Sequence, residues 1–162
     1  MNVMRNLSVL TATTFWMLLN PLIVLAQDEN AAKARVDAIV RASAAGGIER
    51  IDIFRLPKFY ENIKQIQPDD LEALWHYKMT IRELLQPKQE LIARALRTAN
   101  IHRSDRTWDL RWGIVFYWPK DRRIAALYFD ETGRYGSIDK IPVSFAPDFF
   151  SRLKGALHLS LD

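Results

Sequence analysis

The chain contains no cysteine. That single absence excludes a disulfide framework, a thiol nucleophile, thiolate metal sites and a cysteine for lipid attachment. Glycine is scarce too: the six residues are scattered and none forms a Gly-x-Gly-x-x-Gly run, so no phosphate-cradling loop is encoded. The three histidines, His76, His102 and His158, are widely separated, and none stands in a His-x-His or His-Glu-x-x-His arrangement that would suit zinc or iron. No serine occupies the Gly-x-Ser-x-Gly setting of a nucleophile elbow. The 23 basic residues exceed the 19 acidic ones by too little to imply nucleic acid, and a mildly basic solvated face accounts for them. No cofactor and no metal is expected.

What is present first is an N-terminal leader. Arg5 and the amino terminus carry the positive charge, and no Asp, Glu, Lys or Arg follows from Leu7 to Ala26. Phe15-Trp16-Met17-Leu18-Leu19 forms an apolar core, Asn20-Pro21 is expected to break a helix, and Val24-Leu25-Ala26 places small residues where a signal peptidase accepts them. Gln27-Asp28-Glu29 then switches to polar. Residues 1–26 are therefore expected to be a cleaved signal peptide and 27–162 a single exported domain, periplasmic or secreted, with no membrane anchor after cleavage. The competing reading is an uncleaved anchor, since about 20 uncharged residues would just span a bilayer. An exported chain without cysteine must rely on ordinary packing, which suits a bacterial periplasm better than eukaryotic secretion.

Along 27–162 the hydrophobic pattern alternates between helical and extended periods. Ala32, Val36, Ile39, Val40 and Ala44 recur at helical spacing from Glu29 to Ala45, and Gly46-Gly47 ends the run. Ile48–Leu56 predicts a strand. Lys58–Gln67 is ambiguous, and Pro68-Asp69-Asp70-Leu71 predicts a helical turn with its carboxylates in capping roles. In Trp75–Leu84, Tyr77, Met79 and Ile81 share one face and Lys78, Thr80 and Arg82 the other, which predicts a half-buried strand. Pro87 opens a helix striped with Leu91, Ile92, Ala95, Leu96 and Ala99, closed at Asn100. Trp108, Leu110, Trp112, Ile114, Phe116 and Trp118 then occupy every second position, the clearest strand pattern in the chain. Pro119–Arg122 is a turn, Arg123–Asp130 a returning strand, and Ser137–Phe145 a third strand that Pro142 demotes toward an edge. Pro147-Asp148 starts a closing helix with Phe149, Phe150, Leu153, Ala156 and Leu157 on one stripe. The expectation is an α+β domain: an antiparallel sheet of about five strands, including a C-terminal three-strand meander, with helices packed on one face.

The residues left for function are few. The paired carboxylates Asp69/Asp70 and Asp130/Glu131 suit caps and turns better than acid–base catalysis, which needs two facing carboxyls about 5–10 Å apart. The cluster of aromatic and basic residues from Arg103 to Arg123 is more distinctive. Its central tryptophans share a face with Leu110, Ile114 and Phe116, so burial is the simpler fate. The opposite face then offers Asp109, Arg111 and Tyr117, joined by Lys120, Arg122, Arg123 and Tyr128 from the adjoining turn and strand, as candidate partner-binding residues. The leading reading is a non-catalytic domain that binds another envelope or incoming protein, with an inhibitor or immunity-type protein as its concrete form. A second reading is a cell-wall glycan or peptidoglycan module, which needs at least two of Trp75, Trp108, Trp112 and Trp118 accessible. A third is an envelope enzyme using Asp69, Asp70, Asp130 or Glu131.

Overall fold

The computed structural model describes residues 9–57, 65–106 and 109–159, and of 9–25 only the helical backbone. Within them lie four helices and seven strands, in the order α1 (Val9–Ala44), β1 (Arg50–Arg55), α2 (Pro68–Leu74), β2 (Tyr77–Arg82), α3 (Gln86–Leu96), β3 (His102–Arg103), β4 (Leu110–Trp118), β5 (Arg122–Asp130), β6 (Tyr135–Ile138), β7 (Ile141–Ser144) and α4 (Phe149–Leu157). All strands join one antiparallel sheet in the order β2-β1-β4-β5-β6-β7-β3. The α+β class is as expected, and the sheet has seven strands rather than about five.

Two features account for the extra strands. The segment Ser137–Phe145 is not one strand but the larger part of a tight hairpin, β6–β7, with Ile138 opposite Ile141 and only Asp139-Lys140 between them. Asp139 takes a left-handed φ of 51°, a conformation that a short polar side chain tolerates. The meander thus has four strands. Pro142 does not mark the sheet's edge either, because β3 pairs with β7 beyond it, and the Pro142 carbonyl accepts from the Ser104 N–H at 3.1 Å.

Helices cover both faces, not one. The larger core lies under α1, α3 and α4, where Ile51, Ile53, Trp112, Ile114, Phe116, Leu127 and Phe129 meet Val36, Ile39, Ile92, Leu96, Phe149 and Leu153. Phe129 is its aromatic centre, with ring centroids of Phe150 at 4.4 Å and Phe145 at 4.8 Å. The second core, on the opposite face, gathers Phe54, Leu56, Ile66, Leu71, Leu110, Val115, Ala126 and Tyr128 beneath α2. Burial on both faces explains why β4 and β5 are apolar almost throughout rather than alternating with polar residues.

Local chemistry sets the element ends. Gly46, at φ +68°, lets the Gly47 N–H reach the Ala42 carbonyl at 2.8 Å and the Gly46 N–H reach Ser43 at 3.1 Å, closing α1 as its sequence predicts. The α1 backbone is helical through Asn20-Pro21, where a break is expected; proline removes one backbone donor, yet the helix continues on both sides. Asp70 accepts from the Gln67 N–H at 3.1 Å and so caps α2. Buried Gln89 on α3 accepts from Ile48 N–H at 3.0 Å and donates to the Leu84 carbonyl at 2.8 Å, which fixes the approach to β1 and the exit from β2 together. Glu29 ties α1 to β3: Lys33 donates to it at 2.6 Å and the Arg103 N–H at 3.1 Å, and together they hold its carboxyl below the usual carboxylate range.

Candidate functional site

The seven candidate binding residues do not form one surface; the fold distributes them into separate arrangements. Asp109 and Arg111 pair with each other at the start of β4. The Arg111 side chain is buried and donates to the Pro57 carbonyl at 3.2 Å, while Asp109 accepts from the Ile66 N–H at 3.0 Å. This pair pins the exit of β1 and the entry to α2 onto β4. Tyr117 lies half-buried beneath the Arg50 guanidinium, 3.9 Å from its ring centroid. Lys120 occupies the β4–β5 turn at φ 63°, where its N–H donates to Glu49 at 3.2 Å, and Arg122 beside it is exposed.

Arg123 and Tyr128 are brought together. The Arg123 Nη2 donates to the Tyr128 hydroxyl at 2.7 Å, Arg123 Nη1 reaches both Glu72 carboxylate oxygens at 3.0 and 3.2 Å, and the Tyr128 hydroxyl donates to Glu72. Asp139 completes the group, 3.6 Å from Arg123 and 3.5 Å from Arg35 of α1. Tyr128 is fully buried: burial first, and the bond to Glu72 second, push its phenol far above the ordinary range, so it stays protonated. Burial opposes the Arg123 charge, but neighbouring Tyr128, Glu72 and Asp139 outweigh it and raise its pKa. The cluster borders a cavity of about 410 Å³, which shares Pro68, Asp69 and Lys140 with a second cavity of about 210 Å³. The exposed Asp69–Lys140 ion pair, 2.7 Å long, stands between them. Every charge placed here is matched by an opposite one, so the cluster joins α2, β5 and the β6–β7 turn without presenting a net charge to a ligand.

The paired carboxylates separate by role. Asp69 bonds Lys140 and Asp70 caps α2, while Asp130 accepts from the Thr132 hydroxyl at 2.9 Å and the Tyr135 N–H at 3.3 Å within a turn. Among the described residues no group of three or more His, Asp and Glu side chains is arranged to hold a metal ion. Trp112 is buried, Trp118 is half-buried against the larger core, and Trp75 is exposed; Trp108 lies outside the described residues.

What sequence reasoning missed is the exposure of β2. The pattern predicts a half-buried strand, but five of its six residues are exposed, with Tyr77 at 53% and Met79 at 37%. The alternation itself is as read: Tyr77, Met79 and Ile81 pair with Arg55, Ile53 and Ile51 on the side of the larger core. The burial is not, because β2 ends the sheet and most of that face lies beyond the helices. Of the six large apolar side chains exposed among the described residues, five fall between residues 74 and 85: Leu74, Trp75, Tyr77, Met79 and Leu85. Isolated exposed hydrophobics are ordinary; here Tyr77 and Met79 lie on β2 itself and Leu74, Trp75 and Leu85 on the segments that flank it. A lysine and an arginine in a short amphipathic strand, here Lys78 and Arg82, were the sequence signal for an edge.

No protein-family model, curated protein or solved structure matches this chain.

Proposed function

We propose that this chain is a small exported protein-binding domain, without catalytic activity of its own, that takes its partner along β2. The observation that carries the reading is the gathering of exposed apolar side chains at 74–85, Tyr77 and Met79 on β2 and Leu74, Trp75 and Leu85 on its flanks, beside a strand that has no neighbour on its outer backbone edge among the described residues. Such an edge offers a row of N–H and C=O groups, and a protein uses it to add a strand from another chain. The polar clusters of the sequence-predicted face serve a different end: they bind α2 and the β6–β7 turn to the sheet and hold the platform rigid behind β2. An inhibitor of an incoming enzyme is the concrete form of this reading.

Export rests on the order of Arg5, the uncharged run to Ala26 and the polar switch at Gln27. Among the described residues no helix is long and apolar enough to cross a membrane. The reading is tested by comparing wild type with Met79→Lys as affinity baits against envelope extracts. A single stoichiometric protein held by wild type and lost by the variant supports it. Equal retention of that protein by both, with circular dichroism unchanged, places the contact elsewhere and defeats it.

A further inference from the structure

Resting on that reading, we infer the chemistry of the strand that β2 accepts: an extended segment of a different protein in which apolar residues alternate with Asp or Glu. The outer edge of β2 is the open side of the sheet, so alternate residues from Tyr77 to Arg82 turn their backbone groups away from β1. An added strand continues both faces of the sheet. On one face it meets Tyr77, Met79 and Ile81, which calls for apolar side chains at every second position. On the other it meets Lys78, Thr80 and Arg82.

The charge on that second face is one-sided. On that face the register pairs of β1 and β2 contain three cations, Arg50, Lys78 and Arg82, and one carboxylate, Asp52. Asp52 is buried and already engaged by the Thr80 hydroxyl at 2.9 Å, Arg50 at 3.3 Å and Lys78 at 3.8 Å. Arg82 stands directly opposite Arg50, whose own guanidinium is drawn away to Asp121. Glu83 follows the strand at φ 55°, already turning out of it.

In the register centred on Thr80 this arrangement disfavours a second copy of the chain. Antiparallel self-pairing about a two-fold axis at Thr80 sets Lys78 against Arg82 twice, and like charges directly opposite are unfavourable. Lysine on an edge strand is a known guard against such self-association. Carboxylates on an incoming strand convert the same two positions into opposite-charge cross-strand pairs, and the apolar positions cover Tyr77 and Met79.

The experiment uses the full chain and three eight-residue peptides that alternate Val with Glu, Val with Lys or Val with Thr. Binding is read by fluorescence anisotropy, and its location by hydrogen exchange of the 77–82 amides. The Val/Glu peptide is expected to protect these amides and to bind at least about tenfold more tightly than Val/Thr, with Val/Lys weakest. Arg82→Glu, which sets a carboxylate opposite Arg50 and leaves Asp52 untouched, is expected to weaken Val/Glu by about tenfold and to reverse the order of the charged peptides. Lys78→Gln is expected to weaken it by about threefold. Unchanged exchange in β4 and β5 verifies that each variant is folded. If Val/Thr or Val/Lys binds β2 as tightly as Val/Glu, the acidic partner is refuted while the edge remains the docking site. If no peptide protects 77–82, both readings fall. If protection of 77–82 instead rises with protein concentration alone, the occupant is a second copy and the inference is overturned.

Discussion

The β4–β5 hairpin and β2 draw on the same aromatic, aliphatic and basic residues, yet they end in opposite environments. Strands β4 and β5 have a neighbour on each side and a layer over each face, so Phe116, Tyr128 and Phe129 are all fully buried. Strand β2 has β1 on one side and, among the described residues, no strand on the other, and Tyr77 and Met79, although they continue the same face as Ile53 and Phe129, remain in contact with water. Alternation tells which side chains share a face; it does not tell whether anything covers that face. The cover comes from helices that approach from distant parts of the chain, and they stop short of β2.

The widest separation between the two regions is expected from truncation. Phe129→Ala removes the ring packed against Phe145, Phe149 and Phe150 and should cost about 3–5 kcal/mol in urea unfolding, whereas Met79→Ala should cost under about 1 kcal/mol. Equal losses would mean that β2 is as well packed as the hairpin. Gly136→Ala probes the hairpin's other flank. A Cβ there would lie 1.8 Å from the Tyr128 carbonyl oxygen, so β5 and β6 must move apart, with a loss of about 3 kcal/mol and a lower midpoint in thermal melts.

The polar cluster around Tyr128 should respond more mildly. Tyr128→Phe removes one hydroxyl but leaves the Arg123–Glu72 pair, and should cost about 1 kcal/mol at neutral pH. The same variant has a signature in alkali. Because the folded-state pKa of Tyr128 is raised above its unfolded value of about 10, the native state keeps a proton that the unfolded chain gives up. The resulting stabilisation is present below about pH 10 and is lost as pH rises above it. Wild type should therefore lose thermal stability more steeply than Tyr128→Phe between about pH 9 and about pH 11, and parallel curves would refute the assignment. The smallest stability effect is expected at the edge. Met79→Lys should stay within about 0.5 kcal/mol of wild type while abolishing the partner retention proposed above, which sharpens the contrast between a region that holds the fold together and one that contributes little to its stability.

Much of the fold was legible because its signals are local. The end of α1 at Gly46-Gly47, the start of α3 within one residue of Pro87, the β4 and β5 strands and the five-residue stripe of α4 all follow from periodicity and turn chemistry. The hairpin at Asp139-Lys140 was missed because two polar residues between isoleucines continue an alternating pattern almost as well as they break it. The candidate site was legible only in part. Arg123 and Tyr128 were singled out together, and they do meet, but their partners Glu72 and Asp139 come from α2 and the β6–β7 turn, and no spacing within one segment announces such a meeting.

By itself the sequence determined the leader-like composition before Gln27, the absence of any cysteine chemistry, the α+β class and the faces of most strands, since each depends on residue type and on a period within about ten neighbours. The tertiary structure decided that Arg111 and Tyr128 are buried, that α2 covers the second face of the sheet, and that β2 lies at the edge. Those outcomes depend on strand order, and strand order is a competition among long-range pairings. Here β4 takes the place beside β1 that a local reading leaves open, and among the described strands β2 pairs with β1 alone.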